Sequence, residues 1–337
     1  MSRETKHNEH FSEVIWESVN KENKYLLDEF ISYLNSIDRA DTTIFQYEKD
    51  LKGFFCWYYE NCKDKEFYDI KKRDIIRYQN YLLNELGLSP SRIRRLKSSL
   101  SSLSNFIVKI LDEDYPEFKN IINFIEAPKK VLVREKTIIT QEELKLLCDT
   151  LVEKGKIQEA CYFAVLASSG VRKSEAFRLK LEDFLPDMKI SDAVYKSRSI
   201  KTKGAGKKGK MLNKYFLIAI LEPYLSLWLE DRLKRDITDE YLFASKKGKL
   251  SISSAEHWCE LSTEILGKSI YSHSFRHYLT TYMSANNVPS SVIQKYFGWE
   301  SSTMISIYND ADEEDSFSDY FSKDGINKIE TKAIDEL

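Results

Sequence analysis

Apolar residues return every three or four positions along most of this chain, and between about residues 185 and 217 that return stops. A period near 3.6 lays an apolar stripe along one side of a helix, and such a stripe has to be covered by other helices. The chain is therefore expected to be mainly α, with one stretch left for extended structure. The series begins with Leu26, Leu27, Phe30, Ile31 and Leu34. A second helix is expected from Asp41 or Thr42 through Ile44, Tyr47, Leu51, Phe54, Phe55 and Tyr58. A third covers residues 72–86, with Ile75, Ile76, Tyr78, Tyr81, Leu82 and Leu83 inward, and Gly87 stops it. Ser89-Pro90 opens a fourth, with proline in the first turn where its missing N–H is harmless. That helix carries Arg92, Arg94, Arg95 and Lys97 at its start and serines along its length. A short helix over residues 118–125, ended by Pro128, completes an orthogonal bundle of four or five helices.

The boundaries of this bundle follow from what surrounds it. Residues 1–20 read as a flexible arm with a short amphipathic piece around Phe11, Val14 and Ile15. Residues 129–139 mix charges with β-branched residues at no helical period and read as a linker, so the bundle spans 21–128. Thr140 followed three residues later by Glu143 is a capping box that starts the next helix, and a second domain is expected over 140–309. Within it a helix near residues 158–167 ends at Ser168-Ser169-Gly170, and Arg172 stands at the next helix start. Strand-like alternation on both sides of the glycine-rich loop Gly204–Gly209 reads as an antiparallel hairpin with a long basic tip. Helices resume over 219–234, 253–266 and the segment 271–308. The tail, 310–337, is acidic at first and then sets Phe317, Tyr320, Phe321, Ile326 and Ile329 at helical spacing.

A length of 337 residues is enough for two domains with real cores. Lys plus Arg number 51 against 53 Asp plus Glu, a formal charge of −2, so a uniformly basic nucleic-acid-binding body is excluded and any such surface must come from local clustering. The five cysteines form no C-x-x-C pair, which disfavours a disulfide scaffold or a structural zinc site and fits a reducing cytoplasm. The polar N-terminus has no apolar run of signal-peptide type, and no stretch approaches the ~18 apolar residues of a membrane span.

Chemistry concentrates in residues 271–308. His273 and Arg276 stand three apart at a helix start, with Ser272 or Ser274 as candidate N-cap, so both side chains share one face. An imidazole and a fixed cation facing one way suit an oxyanion or a phosphate. Trp299 follows a turn at Gly298, and Tyr308 lies nine residues further on. Upstream, Arg172 is followed by Glu175 and Asp183.

This arrangement resembles the tyrosine recombinases, the phage integrase or Xer/Cre family. There a His-x-x-Arg pair precedes a Leu-Gly-His or Leu-Gly-Trp turn, and the nucleophilic tyrosine comes nine residues after it. The segment around Arg172 looks like the family's first arginine box, Thr-Gly-x-Arg-x-Ser-Glu followed by a leucine and an acidic residue. The chain departs from the pattern in Ser168-Ser169-Gly170, in Phe297 before Gly298, in Trp299 rather than histidine, and in a lengthened lysine loop. The resemblance implies a SAM-like core-binding domain followed by a mixed α/β catalytic domain with a small antiparallel sheet.

It also implies site-specific DNA recombination, in which Tyr308 displaces at a phosphate to give a 3′-phosphotyrosine and a free 5′-hydroxyl. The covalent link conserves the phosphodiester energy, so no ATP, metal or other cofactor is expected. Arg172 and Arg276 would hold the non-bridging oxygens, and His273 and Trp299 would add hydrogen bonds. In the family a hairpin lysine protonates the leaving oxygen; Lys203 fits best and Lys201 next. Contacts to DNA would come from Arg92, Arg94, Arg95 and Lys97, from Lys129 and Lys130 with Arg134 and Lys136 in the linker, and from Lys201, Lys207 and Lys208. The implied partners are duplex DNA with specific sites, further copies forming a tetramer through a C-terminal docking helix, and accessory DNA-bending factors. The resemblance implies integration or excision of a mobile element, or resolution. Two other functions fit parts of the pattern. One is a non-cleaving sequence-specific DNA-binding regulator, which has no need of Tyr308; the other is a monomeric type IB topoisomerase. His273 and His277 are also spaced as zinc ligands, but the glutamate of a metallohydrolase motif and a third ligand are missing.

Overall fold

The structure, a computed structural model, describes residues 11–129, 137–202, 204 and 206–309, together with the backbone of 321–322 and 325–326. Contacts divide the chain into two compact units, residues 1–135 with 204–209, and residues 136–203 with 210–337. The fold is mainly helical with small antiparallel sheets, as the pattern of periods implied. Among the described residues no helix is long and apolar enough to cross a membrane.

The first unit is built from α1 (Glu13–Ser18), α2 (Lys21–Ser36), α3 (Asp41–Cys62), α4 (Lys72–Asn80) and α5 (Pro90–Ile110). Its core collects the stripes of these helices, including Leu26, Phe30, Leu51, Phe54, Tyr78, Leu100 and Ile107. Phe54 meets Phe67 and Tyr78 edge-on, with ring centroids 5.9 and 5.0 Å apart, a geometry that sets the positive edge of one ring against the negative face of the next. Ser89, expected to open the fourth helix, accepts from the Arg92 amide at 3.3 Å, and Asn20 caps α2 by accepting from the Asn23 amide at 2.8 Å.

Two expectations for this unit are corrected. The helix expected over 72–86 is α-helical only to Asn80 and continues as a single π turn, Tyr81–Glu85, in which the Leu86 amide reaches back to the Tyr81 carbonyl at 3.1 Å. The short helix expected over 118–125 is reduced to one 3-10 turn, Ile122–Phe124. Asn120 explains the loss. Its side-chain oxygen accepts from the Ile122 amide at 3.0 Å while its nitrogen donates to Asn105 at 2.8 Å, offering the backbone a local alternative to a helix.

The second unit contains α6 (Gln141–Glu153), α7 (Ile157–Ser169), α8 (Lys173–Ala176), β1 (Lys189–Ser191), β2 (Val194–Lys196), β3 (Ile200–Thr202), β4 (Lys210–Leu212) and β5 (Tyr215–Leu217). They are followed by α9 (Ile218–Lys234), β6 (Ala244–Ser245), β7 (Gly248–Lys249), α10 (Ser254–Leu266), α11 (Ser274–Ala285), α12 (Ser290–Phe297) and α13 (Thr303–Tyr308). Helix α7 is the axis: every residue from Ala160 to Ser169 is buried, because α6, α9, α11 and β5 surround it. A helix apolar on all sides can only be an interior one. Strands β2 and β5 pair antiparallel with Tyr195 opposite Phe216, and β3 and β4 pair with Lys201 opposite Met211. Between these ladders Ser197 bridges the gap, donating its amide to the Lys214 carbonyl at 2.8 Å and accepting from the Lys214 amide at 2.9 Å. The period lost after residue 185 thus becomes a three-stranded antiparallel sheet in the order β1–β2–β5, with the two-stranded ribbon β3–β4 inserted between β2 and β5 in sequence.

The capping box of α6 has both of its hydrogen bonds, from the Thr140 amide to Glu143 at 2.9 Å and from the Glu143 amide to Thr140 at 3.2 Å. In the tail the expected helix is corrected where the backbone is described. Phe321–Ser322 (β8) pairs antiparallel with Gly325–Ile326 (β9).

Candidate active site

The end of α7 begins the site. Gly170 caps that helix with φ 60°, a left-handed conformation that glycine adopts without strain. Its missing side chain matters twice, because a Cβ there would run into the Phe297 ring. Tyr296 locks the same junction by donating its hydroxyl to the Ser168 carbonyl at 2.6 Å. The first arginine box and the turn before Trp299 are therefore built against each other.

Arg172 is the N-cap of α8, and Glu175 lies under it. The buried Glu175 carboxylate accepts from the Arg172 amide and from its Nη1, both at 3.0 Å. Its other close partner is Lys214, whose Nζ lies 3.3 Å away and whose side chain is only 6 % exposed. Sequence reasoning did not single out Lys214. The signal was strand alternation, since Lys214 shares its face of the ribbon with Leu212 and the buried Phe216. Burial, then Lys214 and Arg172, act on Glu175, and the cations win: its carboxyl is held below the ordinary value. Burial pushes the Lys214 ammonium down, against the pull of Glu175.

Helix α11 supplies the second arginine. The N-cap is His273 itself and not Ser272 or Ser274, because the Ser274 amide is already bonded to the Tyr271 carbonyl at 2.8 Å. Arg276 is 2 % exposed, and its guanidinium carbon lies 5.3 Å from the ring centres of Phe297 and Trp299 and 5.5 Å from that of Tyr308. Those rings form a stack: Phe297 on Trp299 at 4.4 Å and 10°, Trp299 on Tyr308 at 5.4 Å and 16°. The His277 ring also lies against Tyr308, tilted by 51° with ring centroids 4.8 Å apart. Neither Nε nor Nη1 of Arg276, nor the indole N–H of Trp299, meets a protein acceptor. Buried donors without acceptors are rare in folded proteins, and these three belong to two side chains in contact with each other. Burial and then Arg172 push the Arg276 guanidinium down to about 10, which leaves it charged at neutral pH. Partial burial, then Arg276 and Arg172, hold the His273 imidazole below its ordinary value.

Gly298, with φ 67°, lets Leu212 of β4 approach to where a Cβ would stand 2.9 Å from it. Lys210 pairs with Glu300 at 2.7 Å on the same ribbon. Lys201 lies exposed on β3, its carbonyl accepting from Arg178 at 2.6 Å. Lys203 falls outside the described residues, as do Lys130, Arg134 and Lys136 of the linker. Lys207 and Lys208 lie between β3 and β4, Lys208 exposed.

In the first unit the basic start of α5 is sorted by burial. The side chain of Asp50 is 1 % exposed and accepts from Arg95 at 2.8 Å and from Arg92 at 3.5 Å. Arg94 donates to the carbonyls of Pro128 and Ala127 at 3.0 and 3.3 Å. Lys97 is a correction: it is buried, with its Nζ on the Ile125 carbonyl at 2.5 Å, because it follows Ile93 by one helical turn and lies on the inward stripe. An open groove of about 610 Å³ lies here, lined by Arg94, Lys97, Ser98, Ser101, Asn123 and Lys129 among others. Among the described residues no group of three or more His, Cys, Asp or Glu is placed to hold a metal ion.

Comparison with known proteins shows the family. Residues 137–315 match the phage integrase family and residues 26–117 the N-terminal SAM-like domain of phage integrases. The SPbeta prophage-derived recombinase-like protein YomM of Bacillus subtilis is 33 % identical over 322 residues, covering 92 % of this chain and 94 % of its own. Tyrosine recombinase XerS of Streptococcus uberis is 24 % identical, covering 84 % and 90 %. The crystal structure of XerH recombinase bound to a palindromic difH substrate, a post-cleavage complex, superposes with a TM-score of 0.63 at 18 % identity, covering 94 % and 96 %. The matched domains, the extent of the relatives and the order of the two arginine boxes and the tyrosine place this chain in the phage integrase family of tyrosine-type site-specific recombinases.

Proposed function

We propose that this recombinase cuts and rejoins duplex DNA through a covalent 3′-phosphotyrosine at Tyr308. The observation that carries the reading is the Tyr308 ring stacked on Trp299, beside the buried Arg276 donors that no protein group satisfies. In the cleavage step the Tyr308 oxygen forms a bond to phosphorus, the bond from phosphorus to the 5′-oxygen breaks, and the phenolic proton passes to the His273 imidazole. The leaving oxygen takes a proton from a hairpin lysine, Lys203 or Lys201, and strand joining runs the same step backwards with a 5′-hydroxyl from another strand. Negative charge gathers on the two non-bridging oxygens in the transition state. Arg172 and Arg276 meet it with fixed guanidiniums, and His273 and the Trp299 indole donate to the same oxygens. His277 keeps the tyrosine ring in place.

In this reading residues 21–128 hold one face of DNA, with Arg92, Arg94, Arg95 and Lys129 toward the phosphates, and residues 140–309 carry the chemistry. Lys201, Lys207 and Lys208 extend the contact from the ribbon. Four copies assemble on paired sites, with DNA-bending factors as helpers. A prophage-derived relative supports a mobile element as the setting.

The test is incubation with duplex DNA carrying the flanks of the protein's own gene, followed by denaturing electrophoresis. An adduct formed by wild type and absent from Tyr308→Phe is expected. Retarded complexes without any adduct, even on nicked substrates that trap the intermediate, would leave a DNA-binding regulator as the better description.

A further inference from the structure

The half-buried Arg172 and the buried Arg276 share their site with a third cation, the buried Lys214. Lys214 stands on β5's approach, fixed at both its amide and its carbonyl by Ser197, so its backbone has little freedom to move. Its side chain runs inward to Glu175, and Glu175 in turn grips Arg172 through two hydrogen bonds. A buried carboxylate facing Arg172 alone would have two bad outcomes. It would neutralise the guanidinium that must receive a phosphate, or it would take up a proton and let go of the Arg172 amide and Nη1.

We propose that Lys214 is a positioning residue of the phosphate site, holding Glu175 ionised so that it orients Arg172 without cancelling the charge of the arginine pair. The charges add up in favour of this role. Arg172, Arg276 and Lys214 against Glu175 leave two positive charges, which match the two negative charges of a pentacoordinate phosphorane. Without Lys214 one remains, enough for a ground-state phosphodiester and too little for the transition state. Binding should therefore survive the loss of Lys214, and the chemical step should not. Arg276 and Arg172 lie close enough to weigh on the Lys214 ammonium, as burial does, so a site assembled for stability alone would do better with an apolar side chain there.

This inference rests on the cleavage reading above, and its test separates the two. Full-length wild type, Lys214→Met, Lys214→Gln and Lys214→Arg are compared on a nicked duplex bearing the gene-flank site. Adduct formation is followed in a single turnover, affinity by gel retardation and fold by thermal midpoint. The expected result is a folded Lys214→Met that binds within a few-fold of wild type and forms adduct at least about tenfold more slowly. That is less than the roughly 10²–10³-fold cost of removing a direct donor. Lys214→Arg, which keeps the charge, should recover most of the rate. A Lys214→Met as fast as wild type overturns the inference alone. Loss of fold in both neutral variants makes the lysine structural and also overturns it. A wild type that forms no adduct removes the cleavage reading itself, and this inference with it.

Discussion

In the proposed reaction Arg276 is the residue on which the site turns, because one side chain faces three aromatic rings and still has two N–H groups that no protein acceptor meets. Only a planar guanidinium does both, so Arg276→Lys should fold with little loss and form the phosphotyrosine adduct about 10²–10³ times more slowly. Single-turnover cleavage alongside a thermal melt would check both halves of that statement. His273 offers a pH test. In the folded, DNA-free protein its imidazole is held below the ordinary value of 6.5 by partial burial and by Arg276 and Arg172. The unfolded chain therefore takes up this proton at a higher pH than the folded chain does. Stability should fall as the pH drops from about 6.5 toward the folded value and be unaffected by this group above it. In His273→Gln the acid-side decline of the thermal midpoint should be shallower than in wild type; an identical decline would show that the imidazole carries no such linkage.

At the level of elements, the contact between Gly170 at the end of α7 and Phe297 at the end of α12 sets the spacing of the two arginine boxes. Gly170→Ala puts a side chain on a left-handed backbone and into an aromatic ring, each costing about 1–3 kcal/mol. A loss of at least ~2 kcal/mol in denaturant unfolding is expected, with slower cleavage even in conditions where the variant is fully folded. In α3 the corresponding change is Asp50→Ala, which strands Arg95 and Ser99 of α5 and should cost about 1–3 kcal/mol. These two helices also show how far sequence reading reaches. The family was legible because a motif fixes the spacing of the arginines and Tyr308 whatever surrounds them, and the ribbon was legible because a change of period needs no tertiary information. Burial of polar groups was not. Lys97 and Ser104 occupy the same inward stripe as Ile93 and Leu100, and Lys214 an inward strand position, yet residue type alone places lysine outside. What lies opposite each of them, a carbonyl or a carboxylate, is decided by chain that arrives from elsewhere in the sequence. The π turn after Asn80 and the Asn120 turn were hidden for the same reason.

Across the whole molecule the formal charge is only −2, so affinity for a polyanion must come from a minority of its 51 basic side chains. Burial says which of them count. A lysine that keeps its head in water releases a counterion when it meets a phosphate, and each such contact steepens the dependence of log K on log salt by about 0.9. A lysine already committed to a protein carbonyl contributes nothing to that slope. Lys208 and Lys97 are the contrasting pair, one exposed on the ribbon and one 7 % exposed with its ammonium on the Ile125 carbonyl. Gel retardation over a series of salt concentrations should give Lys208→Ala a slope shallower by about one unit with an unchanged melting temperature. Lys97→Met should keep the wild-type slope and shift only the melt, since what it removes is an internal hydrogen bond of α5. If both variants changed the slope alike, burial would not be the sorting rule, and the DNA surface of the first unit would have to include the groove around Lys97 itself.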